Sequence, residues 1–403
     1  ERWENPLKPS EIASPSENIE NTLRFTQLGV SQSNELSAGY NVRGGNFDEN
    51  LIYVNGIEVY RPFLARSGQQ EGLSFVNPYL VDNILFSAGG FSANYGDKLS
   101  SVLDITYREP TERKGSFTAS LLGAAAHIED TINVRSNFIA GVRYRTNSYL
   151  LGALDTKGDY KPTFFDFQGM YNYYLNEKLK LSFFGTYSKN SYVVIPESRE
   201  TNFGSINQAL KFTVFYEGQE VTAFETYMGA LKLNQEVSDK LELNYITSFY
   251  RSKAYENFDL LGEYKLDELE RDLGSDEYGE VAFNRGVGAF LEHARNTLDA
   301  SVFNASAKGK YYGDKYTWSF GAKFQHEKIS DDLSEWKFLD SARFNLPHPA
   351  DSVGYTMPSQ QDYQYLNLSY VLKAQNNLES NRMTGFVQGE RNFKFRDTVS
   401  IKD

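Results

Sequence analysis

The sequence contains no cysteine, only 4 methionines and 4 histidines, and no uninterrupted apolar run long enough to form a membrane-spanning helix. The missing cysteines exclude a disulfide-stapled fold and a cysteine-based metal site. The histidines lack metal-ligand spacing, which argues against a zinc site: His127, His293, His326 and His348. Transmembrane strands are not excluded, because their apolar residues alternate with polar ones.

Basic clusters and catalytic signatures are also missing. The formal net charge is −12, which argues against nucleic acid as a partner, since binding phosphates needs clustered lysine and arginine. No Gly-x-Ser-x-Gly elbow and no isolated carboxylate pair occurs, so the sequence does not indicate an enzyme. The first residues, Glu1 to Asn5, lack the basic and apolar regions of a signal peptide. An exported protein is therefore expected to be represented here by its mature form or a piece of it.

Aromatic residues are abundant instead. The chain has 28 Tyr and 29 Phe, yet its mean hydropathy is −0.52, which predicts that many rings lie on a surface. From residue 113 onward the apolar residues recur with a period of two, typical of strands with one apolar face. Between residues 163 and 175 one face carries Phe165, Phe167, Gly169, Tyr171, Tyr173 and Leu175, and the other carries Asp166, Gln168, Met170 and Asn172. Each face is about ten or more residues long, which suits a tilted strand crossing a bilayer.

The connections between these segments alternate in length. Short turns are predicted at 133–136, 176–178, 238–240 and 312–315. Long connections are predicted at roughly 148–162, 192–220, 257–293 and 331–379. Outer-membrane barrels combine short periplasmic turns with long extracellular loops, so this asymmetry predicts an orientation. The strands themselves are predicted near 115–123, 124–132, 136–147, 163–175, 178–191, 222–236, 240–256, 294–312, 315–330 and 381–393.

Residues 40 to 107 differ from the rest, with short strands separated by glycine turns. Asn55-Gly56 joins two β runs and predicts a hairpin, because both residues tolerate positive φ. The other glycines are predicted to serve turns or close backbone approaches, and none has the spacing of a nucleotide-binding loop: Gly44, Gly45, Gly89, Gly90 and Gly96.

Two blocks within this region, Val42 to Tyr60 and Val81 to Glu109, resemble the plug domain of TonB-dependent outer-membrane receptors. The resemblance implies a mainly β fold: an α/β plug inside an antiparallel transmembrane β-barrel, of which about ten strands are present. It divides the chain into a plug at 1–112 and an N-terminal portion of the barrel at 113–403. Receptors of this family close with about 22 strands, so the chain is expected to be part of a longer protein.

The resemblance also implies a function and its partners. It implies energy-coupled import of a nutrient or chelate across the outer membrane of a Gram-negative bacterium, with the TonB complex as periplasmic partner and no cofactor. Outer-membrane lipid, lipopolysaccharide and a lipoprotein or complex subunit are further expected partners. A non-transporting subunit of an outer-membrane assembly or secretion complex is the alternative, and a soluble aromatic-rich enzyme acting on glycans is a third hypothesis.

Candidate site residues follow from the plug. Tyr60, Arg61, Phe63 and Arg66 are predicted in an apical loop which, with Asn77 and Tyr79 of the segment 75–79, suits a sugar, peptide or anionic chelate. Packing of these residues against the barrel is an equal alternative. The structural motif of the plug comprises Arg43, Tyr95 and the turn residues named above, with Arg43 expected to form a buried ion pair or hydrogen-bond fork to the barrel wall.

Three further segments carry expectations. A short helix capped by Ser16 is predicted up to Phe25, with the TonB-pairing segment upstream of it. The stretch from Glu256 to Glu280 is predicted as an acidic loop, either a solvated surface or a divalent-cation site, although its spacing does not match an EF-hand.

Overall fold

The fold was analysed on a computed structural model of the 403-residue chain. The structure describes residues 2–5, 19, 23–24, 27–31, 39–60, 75–146, 158–205, 208–339, 367–395 and 399–402.

A small mixed sheet is built from the N-terminal part of the chain. Its strands are β1 (Arg2–Asn5), β4 (Asn50–Val54), β5 (Ile57–Glu58), β6 (Val81–Ser87) and β7 (Ser101–Tyr107). The spatial order is β1-β6-β7-β4-β5, and β4 pairs with β7 in parallel. Two short strands, β2 (Val30–Ser31) and β3 (Asn41–Val42), pair beside it. We call the part of the chain up to Tyr107 the plug.

A large antiparallel sheet follows, with 12 strands. Its strands are β8 (Lys114–Ser120), β9 (Gly123–Asn133), β10 (Ser136–Thr146), β11 (Gly158–Asn176), β12 (Leu179–Pro196), β13 (Arg199–Ser205), β14 (Gln208–Ser238), β15 (Leu241–Leu269), β16 (Val281–Tyr312), β17 (Tyr316–Leu339), β18 (Asn367–Phe395) and β19 (Val399–Lys402). Each strand pairs with the next along the chain, except that β12 pairs with β14 and β13 pairs only with β14. This confirms the mainly β fold.

The two faces of the large sheet differ as the alternation predicts. On β11 the odd positions Phe165, Phe167, Tyr171, Tyr173 and Leu175 are exposed. The even positions on the other face are buried: Phe164, Asp166, Gln168, Met170 and Asn172. The outer aromatic band on β11 therefore extends over about ten residues, which is the length that a tilted strand needs to cross hydrocarbon.

The largest extensions beyond the predicted strand limits are on the edge with the long connections. β14 has 31 residues, β15 has 29 and β16 has 32, so most of the predicted loops at 192–220 and 257–293 are strand. The part of the predicted acidic loop before residue 270 also lies on β15. The predicted strands end where the outer face loses its apolar residues, but ladder pairing continues through charged residues there, such as Glu263 and Lys265 on β15.

Helical structure is sparse among the described residues. Ile19, Leu23 and Arg24 are helical, in agreement with the predicted short helix, whose remaining residues lie outside the described ones. Ile19 and Leu23 are buried in the core. Within the described ranges, no helix is long and apolar enough to span a membrane.

Candidate functional site

The candidate site is the interface between the plug and the inner face of the large sheet. One hydrophobic cluster crosses it, joining plug residues such as Val54 and Ile105 to Ile139, Met170 and Phe184 on the sheet. These side chains are at most 5% exposed, so the plug and sheet share a single apolar core here. Burial of apolar side chains is the main force that holds such an interface together.

The predicted Asn-Gly hairpin forms the end of the plug that reaches this core. Asn55 and Gly56 both have positive φ, 53° and 77°, and they connect β4 to β5. The side-chain nitrogen of Asn55, Nδ2, lies 2.8 Å from the sulfur of Met170. The side-chain oxygen, Oδ1, accepts a hydrogen bond from the Tyr107 backbone N–H at 2.9 Å. The backbone carbonyl of Asn55 also accepts from Lys232 on β14 at 2.9 Å. The turn therefore docks the plug on two separate strands.

A buried arginine holds the plug segment that precedes β6. Arg143 on β10 forms a two-pronged ion pair with Asp166 on β11, with Nε–Oδ1 at 2.7 Å and Nη2–Oδ2 at 2.8 Å. Its third nitrogen, Nη1, donates to the backbone carbonyl of Val76 at 2.9 Å. The side chains are only 7% and 4% exposed, so the contact with the plug is made away from water. Planar guanidinium suits this role because it presents several donors in a fixed geometry.

Gln168 extends this contact along β11. Its amide nitrogen donates to the backbone carbonyl of Phe75 and to Asp166, and its oxygen accepts from the hydroxyl of Tyr107. Gln168 is 1% exposed, so each of its polar atoms depends on a protein partner.

The plug meets a different chemistry on β16, β17 and β18. Glu58 forms an ion pair with Lys323, and the hydroxyl of Tyr60 contacts Asn304 and Gln325 at 3.3 and 3.4 Å. Farther along the plug, Asp97 lies 3.5 Å from Arg382. The backbone N–H of Ala93 donates to Gln388 at 2.7 Å. Most of the described contacts on this side are made by polar groups near a cavity, and Val302 on β16 belongs to the shared apolar core.

A carboxylate lies inside the plug sheet itself. Asp104 on β7 accepts a hydrogen bond from the hydroxyl of Tyr95 at 2.7 Å. Burial raises the pKa of Asp104, against the hydrogen bond from Tyr95 and the positive charges of Lys308 and Lys232, which lower it. Ionising Asp104 is thus unfavourable in the folded plug.

The predicted ligand residues lie in different places. Tyr60 contacts the inner face of the large sheet as described above, whereas Arg61, Phe63 and Arg66 lie outside the described residues. Asn77 is fully buried, and its side chain caps the short turn Pro78–Leu80 by accepting from the backbone N–H of Tyr79 at 3.1 Å.

Tyr79 stacks on His127 of β9 at 6.2 Å. The backbone carbonyl of Tyr79 accepts from Arg108. Asn77 and Tyr79 thus pack along the wall, and a ligand role for the predicted set stays a prediction.

Arg43 does not form the buried fork that the sequence predicted. It is exposed, its φ is 50°, and its backbone N–H bonds to the carbonyl of Gly29 at 2.8 Å. The positive φ belongs to a turn with Gly44, and this turn keeps the guanidinium at the plug surface. Arg143 forms such a fork instead. Its neighbours on β10 are mostly apolar, so the sequence around Arg143 did not indicate this role.

The other motif residues serve the plug internally. Gly44, Gly89 and Gly90 have positive φ, and a Cβ on Gly45 would collide with Ser100. Nothing lies within 4 Å of a Cβ placed on Gly96, so no close approach requires glycine there. The Tyr95 ring lies 5.4 Å from that of Tyr53, in addition to its bond to Asp104.

No group of three or more acidic or histidine side chains in the described part of the chain is arranged to hold a metal ion. The acidic residues from 256 to 280 are spread over β15 and a turn of residues 270–280.

Residues 8–101 match the family model described as TonB-dependent Receptor Plug Domain. This match confirms the resemblance seen in the sequence and identifies this segment as a plug domain of the TonB-dependent receptor type. No curated protein matches the chain.

Several solved structures are similar to the chain at low identity. The siderophore receptor PirA from Pseudomonas aeruginosa is 13% identical with a TM-score of 0.35, and the match covers 100% of this chain and 88% of that one. The ferric yersiniabactin uptake receptor FyuA from Yersinia pestis is 9% identical with a TM-score of 0.41, and the match covers 98% of this chain and 62% of that one. The siderophore receptor PiuA from Acinetobacter baumannii is 10% identical with a TM-score of 0.44, and the match covers 95% of this chain and 61% of that one. The chain spans less than two thirds of the FyuA and PiuA chains.

Proposed function

We propose that the chain acts as part of a TonB-dependent receptor that imports a nutrient or chelate through the outer membrane of a Gram-negative bacterium. Transport would depend on the TonB complex, which pulls on the plug and rearranges it. The single observation that carries the proposal is the plug domain at residues 8–101, which packs on the inner face of the large sheet. On this proposal the plug domain extends over residues 1–112, slightly beyond the plug as named above, and residues 113–403 contribute to the barrel.

The outer face of the wall supports a membrane location. Its exposed rings and aliphatic side chains include Phe167, Tyr171, Phe183, Leu231 and Phe249. Such side chains would be costly in water as a continuous band and are favourable against hydrocarbon. The band is followed on the long-connection edge by outward ion pairs, such as Lys189 with Glu225 and Arg251 with Asp299, which suit the lipopolysaccharide headgroup level.

The ligand is proposed to meet the plug near Tyr60, Arg61, Phe63 and Arg66. The contacts of Tyr60 with Asn304 and Gln325 support this assignment, because they place hydrogen-bonding groups of plug and wall side by side. The proposed role is transport rather than catalysis, and it needs no cofactor.

Growth and binding experiments test the proposal. A deletion strain and its parent are grown with single limiting nutrients: ferric chelates, cobalamin, oligosaccharides and peptides. Loss of growth on one nutrient, in the deletion strain and equally in a strain without TonB, is the expected result. Normal growth on every nutrient, together with no binding of purified TonB to the full-length receptor, would overturn the proposal.

The strand extensions favour a second candidate, a non-transporting subunit of an outer-membrane complex. β14 has 31 residues, or about 100 Å at roughly 3.3 Å per residue, whereas a barrel strand crosses the bilayer with about ten. Such a wall outside the membrane offers a large surface for a lipoprotein or another subunit. Purification in detergent with a stoichiometric partner, combined with unchanged growth on all nutrients, would favour this candidate.

A further inference from the structure

The inner face of the large sheet contacts the plug in two chemically different ways. We call β10, β11 and β12 the sealed wall, and β16, β17 and β18 the polar wall. The sealed wall holds the plug through the shared apolar core and through buried groups that depend on protein partners, above all Arg143 and Gln168. The polar wall holds it mainly through ion pairs and hydrogen bonds between side chains that are partly accessible to water, and among its described residues the shared apolar core includes Val302 alone.

Separating the plug from the sealed wall would be costly in free energy. Ile139, Met170 and Phe184 would lose their apolar contacts with the plug and become hydrated. Nη1 of Arg143 would lose the Val76 carbonyl in a place where the side chain is only 7% exposed. A buried donor that loses its partner pays the full cost of desolvation unless water enters the site.

The polar wall is already partly open. A cavity of about 130 Å³ lies between it and the plug. It is lined by plug residues such as Tyr53, Glu58 and Asn94. The large sheet contributes hydroxyl, amide and ammonium groups together with apolar side chains: Ser306, Asn304, Lys308, Lys323, Thr384, Ile246, Ala322 and Phe386. The ion pairs across this interface are more exposed than the one between Arg143 and Asp166: the side chains are 19% and 12% exposed for Lys323 and Glu58, and 44% and 27% for Arg382 and Asp97. Water can replace each partner as the surfaces separate.

Separation at the polar wall would also change its charge. Glu58 and Asp97 belong to the plug and would move away with it, whereas Lys323 and Arg382 would stay on the wall, where Arg382 keeps Glu327 at 3.8 Å. The ammonium group of Lys308, which lies 5.4 Å from the Tyr53 ring, would be uncovered at the same time. The opened surface would therefore carry an excess of positive charge beside hydroxyl and amide groups.

We infer that the plug remains attached to the sealed wall and separates from the polar wall, so that the path for the ligand runs along β16, β17 and β18. The path suits an oxygen-rich, anionic ligand. This inference rests on the proposed function, because it assumes that TonB moves the plug during transport.

Single cysteines test the path, since the chain has no cysteine of its own. Ser306→Cys places a thiol at the cavity in the polar wall. Ser182→Cys is the matched control on the sealed wall, where the serine is 8% exposed and donates to Asn172 at 2.6 Å. Cells that express each full-length variant are treated with the anionic sulfonatoethyl methanethiosulfonate, and labelling rates are compared with and without active TonB.

The expected result is a rate at Ser306→Cys that rises by about tenfold or more with active TonB, as when a minor open state becomes a major one. The rate at Ser182→Cys should not change. A TonB-dependent rise at Ser182→Cys, or equal rates at Ser306→Cys with and without TonB in cells that show TonB-dependent growth, would overturn the inference. Absence of any TonB-dependent growth would instead count against the proposed function.

The charge of the path is tested with a second reagent. With active TonB, Ser306→Cys should react faster with the anionic reagent than with the cationic trimethylammonium-ethyl reagent, after correction for their rates with free cysteine. Adding Lys308→Gln should reduce this preference several-fold, since it removes one of the uncovered cations. A preference for the cationic reagent, or no effect of Lys308→Gln, would contradict the anionic character of the path.

Discussion

Arg143 and Asp166 lie on neighbouring strands of the wall, and their two hydrogen bonds, 2.7 and 2.8 Å long, fix the plane of the guanidinium group. The third nitrogen of Arg143 then points at the Val76 carbonyl of the plug. An ion pair within the wall thus positions the donor that holds the plug. Asp166 acts on the plug through Arg143 and, by a second bond, through Gln168.

Asp166→Asn should destabilise the receptor far more than Asp299→Asn. Both carboxylates pair with an arginine through two bonds, but Asp166 is 4% exposed, whereas Asp299 is 38% exposed. Loss of one charge from a buried pair costs about 3–5 kcal/mol, and an exposed pair contributes about 0–1 kcal/mol. Urea unfolding of the full-length receptor in detergent measures the difference, and hydrogen exchange at residues 75–80 should quicken only in Asp166→Asn. Equal stabilities of the two variants would contradict a special role for the buried pair.

Asn55 in the plug hairpin should respond differently to alanine and to glycine. Asn55→Ala loses the side-chain contacts with Met170 and the Tyr107 backbone and also strains a residue whose φ is 53°. Asn55→Gly loses the same contacts but adopts positive φ without strain. We expect alanine to be the more destabilising by about 1–2 kcal/mol, the cost of the left-handed conformation for a residue with a Cβ. Urea unfolding of both full-length variants tests this, and a more stable alanine variant would contradict it.

Much of the fold could be predicted because strands leave a simple periodic signal. Between Phe165 and Leu175 the sequence alternates between an apolar face and a more polar face, and in the structure exposed residues alternate with buried ones in the same way. The Asn55-Gly56 turn was also predictable, because its conformation is a local property of two residues.

The remaining features depend on partners distant in sequence. Phe215 on β14 pairs with Glu263 on β15 well beyond the predicted strand limits, and only the ladder between the two strands reveals this. The local sequence around Arg43 resembles the family motif, but the residue that forms a buried fork is Arg143. Its role requires Asp166 and Val76, which lie 23 and 67 positions away.

Asp104 should make the plug sensitive to pH. Its pKa is raised by burial, so this group contributes most to stability below the ordinary aspartate pKa, and the contribution is lost as pH rises through the raised value. Asp104→Asn keeps a neutral side chain at every pH. We therefore expect this variant to be more stable than the parent near pH 8, and the difference to shrink toward pH 4. Amide exchange of β7 in the full-length receptor, corrected for intrinsic rates, measures this.

Asp82→Asn is the control for Asp104, because Asp82 is an exposed carboxylate on the neighbouring strand β6. It should change β7 exchange little at any pH. A parent that gains stability relative to Asp104→Asn as pH rises would show that the lysines opposite Asp104 outweigh its burial.

Phe183 and Phe203 offer a comparison that isolates the effect of the lipid. Phe183 on β12 is 51% exposed and lies opposite Tyr171, near the middle of the aromatic band, and Phe203 on β13 is 49% exposed. β13 pairs only with β14 and lies on the edge with the long connections, outside the band. Substitution by arginine removes nearly the same exposed ring at each position. Only the surroundings of the new charge differ.

Phe183→Arg should cost about 2–4 kcal/mol in a bilayer, as expected for a charge placed near the midplane on the lipid face of a barrel. Phe203→Arg should stay within about 0.5 kcal/mol of the parent, as for an ordinary surface substitution. The folded fraction of the full-length receptor in phospholipid vesicles, measured over a urea series, gives both values. If Phe183→Arg were as stable as Phe203→Arg, the exposed rings of β12 would face water, and the membrane assignment of the large sheet would be wrong.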